Sequence, residues 1–202
     1  MQPFTTVSGS AAPLMAANID TDVIMPKQFL KGIDRQGLDR GLFFDLRFVQ
    51  SGEPNPDFIL NQPAWSDAAF LVVGANFGCG SSREHAVWGL KQMGIRALIG
   101  TSFAGIFYDN CQRNGVLAIQ LTEAQLKRVA ETVSTAATAR ISVDLPAQTL
   151  SLADGSVIPF EIDQLRKQAL LSGLDAIGTT LQRAEQIRAF ETHHLTTNPW
   201  LA

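Results

Sequence analysis

The clearest hydrophobic patterning lies in the middle of the chain. Ala68-Ala69-Phe70-Leu71-Val72-Val73 is an unbroken apolar run of the kind found in a strand buried on both faces. A glycine loop, Gly74 to Gly80, follows, then a helical stretch from about Ser82 to Met93 that Gly94 should terminate. Ile95 to Gly100 predicts another strand, Phe103 to Asn114 a helix ending before Gly115, and Val116 to Leu121 a third strand. Thr122 to about Thr135 predicts an amphipathic helix opened by a Thr-x-x-Gln cap. Strands and helices alternating in this way imply a parallel α/β layer.

The flanks read differently. From Pro3 to Met15 short apolar stretches are broken by Ser-Gly-Ser, and the polar Asn18-Ile19-Asp20-Thr21-Asp22 precedes Val23-Ile24-Met25-Pro26, which predicts strand, loop and short strand. Lys31 to Arg40 carries Gly32, Gly37 and interspersed charges without a period, the mark of a loop whose arginines can reach a ligand. Between Arg140 and Phe160, alternating Ile141-Ser142-Val143-Asp144-Leu145 and Thr149-Leu150-Ser151-Leu152, with the Asp154-Gly155 turn signal, predict a β-ribbon. The tail from Asp163 to about His193 reads as helical.

Composition narrows the partners. Sixteen basic residues against 19 acidic ones, a formal charge of -3, give no broad cationic surface for nucleic acid or anionic lipid. No apolar run approaches the roughly 20 residues of a membrane helix, so no membrane association is expected. Met1 to Asp22 has no basic leader followed by an apolar core, which makes the cytoplasm the expected compartment. The two cysteines, Cys79 and Cys111, are far apart and form no C-x-x-C pair, which argues against a disulfide framework or a metal site made by this chain alone.

The segment Gly78-Cys79-Gly80-Ser81-Ser82-Arg83-Glu84-His85 carries the most chemistry. Glycines let the backbone approach a ligand, and a helix start aims unpaired N–H groups at it, which suits an anion. Ser81 and Glu84 also fit the S-x-x-E capping box, so a purely structural duty stands beside the functional one. Two features favour a ligand: the second serine, Ser82, and Arg83, a cation set against the positive end of a helix dipole. A carboxylate held bidentately by Arg83 and by loop amides would offset that charge. The G-x-G-x-x-G template fails at Arg83, and no Gly-Lys-Ser or Gly-Lys-Thr occurs, so nucleotide binding is a weak alternative.

At these residues a resemblance enters. Asn76-Phe77-Gly78-Cys79-Gly80-Ser81-Ser82-Arg83-Glu84-His85-Ala86 closely resembles the motif of the aconitase swivelling domain and of isopropylmalate dehydratase small subunits. Asn18-Ile19-Asp20-Thr21-Asp22-Val23-Ile24-Met25-Pro26-Lys27-Gln28-Phe29-Leu30 and Ser102-Phe103-Ala104-Gly105-Ile106-Phe107-Tyr108-Asp109-Asn110 look like further blocks of that family, in the expected order. The Gly173 to Leu181 block looks most like the leucine-biosynthesis type. The fold implied is α/β: one aconitase-type swivelling β/β/α domain across residues 1–202, with a parallel α/β layer and the β-ribbon in a core to about residue 160, and a helical C-terminal extension from about residue 161.

The resemblance implies a hydro-lyase that removes water from a 2-hydroxy acid and returns it at the neighbouring carbon. Such a reaction needs a Lewis acid for the leaving hydroxyl, a base beside a carboxylate, and cations that hold the carboxylates. By motif position Ser81 resembles the family's catalytic base. Ser82 and Arg83 resemble its carboxylate-binding and base-supporting groups, with Gly80 supplying close backbone approach, and Asp22 matches an active-site aspartate, for which an Asx-turn is the competing role. Substrate choice is expected in the loop, with Arg35 first and Lys31 and Arg40 behind it. The family's Lewis acid is a four-iron four-sulfur cluster held by three cysteines. Two separated cysteines do not provide that, so a large cluster-bearing subunit, forming a heterodimer with this chain, is the expected partner, and a small dicarboxylate the expected substrate. Cys79 reads as a small loop side chain near the site, Cys111 as core, and His85 as a packed structural histidine. Isopropylmalate is the first substrate candidate, homoaconitate or citramalate the next, and a non-catalytic carboxylate-binding module the reading from another class.

Overall fold

Every residue of β2 (Phe70–Val73), β3 (Ala97–Gly100) and most of β4 (Leu117–Gln120) is buried, because helices cover both faces of the layer they form. The computed structural model describes residues 1–30, 36–80 and 83–201. Along each strand successive side chains point to opposite faces. Leu71, Val73 and Leu98 enter one apolar cluster with Val87, Leu90, Phe107 and Cys111, whereas Phe70, Val72, Ala97 and Ile99 enter the other with Leu126, Val129, Val133 and Ile141.

The sheet has seven strands in the order β4-β3-β2-β1-β5-β6-β7, where β1 is Thr6–Leu14, β5 Arg140–Asp144, β6 Thr149–Ser151 and β7 Val157–Pro159. β1 is the hinge of the arrangement. Its second half pairs parallel with β2, from Ala11↔Phe70 to Leu14↔Val73, while its first half pairs antiparallel with β5, from Thr6↔Asp144 to Ser10↔Arg140. The expected β-ribbon is therefore the antiparallel continuation of the parallel layer, joined to it through one strand.

The helices are α1 (Thr21–Ile24), α2 (Phe44–Arg47), α3 (Glu84–Gln92), α4 (Gly105–Asn114), α5 (Glu123–Val133), α6 (Gln164–Ser172), α7 (Ala176–Leu181) and α8 (Ala184–Thr197). α3, α4 and α5 follow β2, β3 and β4 in turn, the alternation read from the sequence. One expectation needs correction. Val23-Ile24-Met25 is not a strand: the Asp20 carboxylate accepts the Val23 N–H at 2.8 Å and caps the short helix α1, so capping chemistry outweighs the β-branched residues. The expected N-terminal strand is present as β1, which runs through Ser8-Gly9-Ser10; at Gly9 an added Cβ would stand 2.6 Å from that of Ala69, so the missing side chain is what lets the neighbouring chain lie close. The tail is helical as expected but divided at Gly173, in the left-handed region, and again near Arg183. No helix among the described residues is long and apolar enough to cross a membrane.

Candidate active site at the ends of the parallel strands

Ligands of open α/β sheets sit beyond the carboxyl ends of parallel strands, and here the loops after β1, β2 and β3 meet at that edge. They interlock by backbone hydrogen bonds. From the loop after β1, Asn18 N–H donates to Ala75 at 2.9 Å and Thr21 N–H to Cys79 at 2.9 Å, while Gly78 N–H donates back to Ile19 at 2.8 Å. On the other side Phe77 N–H donates to Ser102 at 3.3 Å and Ala104 N–H to Phe77 at 3.1 Å. Phe77 is fully buried and meets Phe107 of α4 edge-on, with ring centroids 5.5 Å apart.

Two glycines of the loop have different reasons for their places. At Gly78, φ is +77° and an added Cβ would lie 2.2 Å from the Phe107 ring, so no other residue fits without displacement. At Gly80, φ is +87°, and the nearest atom to such a Cβ is that of Asp20, at 3.4 Å. Gly80 is exposed and its conformation lets the chain turn over Asp20 toward Arg83.

Asp22 and Arg83 line one narrow crevice, too tight to hold a ligand by itself, with Thr21, Met25, Leu30 and Ala86 completing its wall. This juxtaposition joins two candidates that lie far apart in sequence. Asp22 carries a partner that sequence reasoning missed: Lys27 Nζ stands 3.3 Å from its Oδ2, both groups being well exposed. Their spacing within one motif block was the available signal. Asp20, by contrast, is occupied by capping α1.

Arg83 differs from the expectation in one respect. Its backbone is extended (φ −117°, ψ 138°) and it occupies the N-cap of α3, outside the first helical turn, with no side-chain capping bond. Glu84 is consequently the first helical residue, N1, so it does not occupy the N3 position that a capping box with Ser81 requires. The Arg83 side chain is exposed, and Glu84 places an acidic group in the first turn. Ser81, Ser82, Lys31 and Arg35 lie outside the described residues. Arg40 is exposed at the end of a 3-10 turn, Leu38–Arg40. The His85 ring packs against that of Trp88, centroids 4.7 Å apart.

The thiols do not fit an iron–sulfur cluster. Cys79 lies in the loop with Sγ 3.4 Å from the Asn18 carbonyl, whereas Cys111 is fully buried in α4, where desolvation pushes its thiol far up and disfavours the thiolate a metal needs. Among the described residues no group of three or more His, Cys, Asp or Glu converges.

Comparison with known proteins agrees with this architecture. The family model for the aconitase C-terminal domain matches residues 1–124, and that for the C-terminal domain of the 3-isopropylmalate dehydratase small subunit matches residues 177–202. The chain is 62% identical over 201 residues to 3-isopropylmalate dehydratase small subunit 1 of Mannheimia succiniciproducens, covering 100% of this chain and 99% of that one. It is 57% identical to small subunit 2 of Salmonella typhimurium, covering 100% and 96%. The crystal structure of 3-isopropylmalate dehydratase from Methanocaldococcus jannaschii shares the fold, with a TM-score of 0.66 over 92% of this chain and 99% of that one at 24% identity. A swivelling-domain fold, a glycine loop meeting an aspartate loop at the strand ends, and end-to-end likeness at these identities lead to one conclusion: the chain belongs to the aconitase-type hydro-lyase family, among the 3-isopropylmalate dehydratase small subunits.

Proposed function

We propose that this chain supplies the proton-abstracting and carboxylate-holding half of an isopropylmalate isomerase, interconverting 2-isopropylmalate and 3-isopropylmalate through a dehydrated intermediate in leucine biosynthesis. The observation that carries the reading is the end-to-end likeness to chains that bear that enzyme's name; Asp22 and Arg83, side by side at the strand ends, are the groups of this chain placed to serve it. The four-iron four-sulfur cluster belongs to a large partner protein and supplies the Lewis acid there; the two thiols of this chain are unsuited to it. The whole chain, residues 1–202, acts as one swivelling domain, with a core to about residue 160 and a helical extension beyond, in the cytoplasm.

Ser81 is the base. A serine hydroxyl is a poor base unless its alkoxide is stabilised, and the Arg83 guanidinium beside the amide-rich start of α3 supplies positive potential for that. Arg83 and Ser82 hold a substrate carboxylate, Gly80 allows its close approach, and Asp22, with Lys27 against it, orients groups across the crevice. Arg35 reads the substrate's side chain.

Reconstitution with the large subunit tests the reading. The isolated chain should be inactive and the pair active on isopropylmalate, with citramalate and homoaconitate turned over poorly. Ser81→Ala should lower kcat by roughly 10²–10⁴-fold, the usual contribution of a general base, with assembly intact. Arg83→Lys should weaken substrate binding by losing the bidentate fork. Full activity of the isolated chain, or near-normal turnover by Ser81→Ala, would overturn the assignment.

A further inference from the structure

Each of the two interlocked loops contains one asparagine in the left-handed region, Asn18 at φ 58° and Asn76 at φ 56°. Few residues other than glycine adopt this conformation, and asparagine is one of those that do. The two side chains meet: Asn76 Nδ2 donates to Asn18 Oδ1 at 2.8 Å. Their backbones are tied into the same seam, Asn18 N–H to Ala75 at 2.9 Å and Asn76 N–H to Ser102 Oγ at 2.9 Å. The loops lie close where they begin, because an added Cβ at Gly74 would lie 2.4 Å from the Ala16 carbonyl oxygen. Two residues after Asn18 comes Asp20, which pairs with Cys79 and caps the helix bearing Asp22. After Asn76 the chain turns at Gly78 and Gly80 and arrives at Arg83.

We propose that the Asn18–Asn76 amide pair is a positioning device: it locks the turn of each loop against the other, so that Asp22 and Arg83 face one crevice. The proposal rests on the reaction given above. Neither asparagine touches the reacting atoms; both act through the loops they begin. Without the amide bond the two turns are held to each other by the backbone hydrogen bonds of the seam alone, which leaves a small displacement open at Asp22 and Arg83; a full 1 Å at a reacting group would cost about 10²-fold in turnover. Both side chains are exposed, so water competes for the bond, and its net worth is that of an ordinary hydrogen bond, a factor of about five in an equilibrium or rate.

The test uses the reconstituted two-chain enzyme with Asn18→Gly, Asn76→Gly and the double variant. Glycine keeps the left-handed backbone without strain, so the side-chain bond is what each variant loses. Each single variant should lower kcat roughly fivefold, with KM little changed and with unfolding midpoint and assembly as in the wild type. The double variant should be no worse than either single one, because both remove the same bond. Full kcat in either single variant, losses that multiply in the double, or losses that track a lowered midpoint would overturn the proposal. Hydrogen exchange on the full-length chain alone provides a readout independent of the reaction. The Thr21 and Gly78 amides, which bridge the loops, should exchange faster in each single variant and no faster in the double; unchanged exchange would sink the clamp. Lack of turnover by the wild-type pair would count against the proposed reaction, and the exchange result would still decide the clamp.

Discussion

Gly78 has no room for a β-carbon, and this separates it from glycines that only end helices. A methyl there would both overlap the Phe107 ring at 2.2 Å and be strained by φ +77°. Overpacking costs about 1–3 kcal/mol and a left-handed L-residue about 1–2 kcal/mol, so Gly78→Ala should destabilise the chain by about 2–5 kcal/mol in a denaturant titration. Gly105 is the control: nothing lies within 4 Å of an added Cβ and its φ is not positive, so Gly105→Ala at the start of α4 should be neutral or stabilising by about 0.5 kcal/mol. Equal losses from the two variants would refute the packing argument. The loop was legible in the sequence as glycine-rich, but the difference between Gly78, wedged on an aromatic ring, and Gly80, turning over Asp20, was not. It depends on Phe107, which arrives from α4, a later element of the chain.

At the scale of elements, α5 shows how far local signals go. Thr122 caps it by accepting the Gln125 N–H at 3.3 Å while Gln125 Oε1 accepts the Thr122 N–H at 3.0 Å, the capping box expected from Thr-x-x-Gln. Its inner face buries Leu126, Val129 and Val133. Burying three such side chains contributes on the order of 5–8 kcal/mol before chain entropy is counted, whereas a cap contributes about 1 kcal/mol. Thr122→Ala should therefore lower stability by about 1 kcal/mol, with the helical circular dichroism retained. Loss of the helix would mean that the cap dominates. The same Ser/Thr-x-x-Glu/Gln signal failed at Ser81-x-x-Glu84, because Arg83 remains extended and the helix begins at Glu84, two residues later than that signal implies. A pattern of side chains does not fix the backbone angle at which a helix starts. α1 failed in the opposite sense: Val23 and Ile24 favour a strand, and the Asp20 cap made a helix of them.

On the scale of the whole molecule, the burial is uneven. The sheet and α3 to α5 form two apolar layers, and α6 still contributes Leu170, beside which Phe4 N–H donates to the Leu170 carbonyl at 2.9 Å. Beyond Gly173 nothing in α7 or α8 is buried, and Ile177, Leu181, Phe190 and Trp200 are each more than half exposed. Removal of residues 184–202 should accordingly leave the unfolding free energy of the isolated chain within about 0.5 kcal/mol, the range of surface changes. Removal of α6 as well should destabilise it clearly. A large loss from the shorter truncation alone would show that α8 supports the core.

By itself the sequence determined the alternation of strand and helix in the middle of the chain, the glycine loop and the motif blocks that mark the family, since these depend on residues near one another in the chain. Tertiary structure decided what those elements do together. The burial of β1 between a parallel and an antiparallel neighbour, the crevice shared by Asp22 and Arg83 and the Asn18–Asn76 bond all require distant parts of the chain to meet. That meeting is set by the register of β1 on β2, where Leu14 lies opposite Val73 and starts both loops side by side. Local propensity carries no record of such a register; packing of two buried strands fixes it.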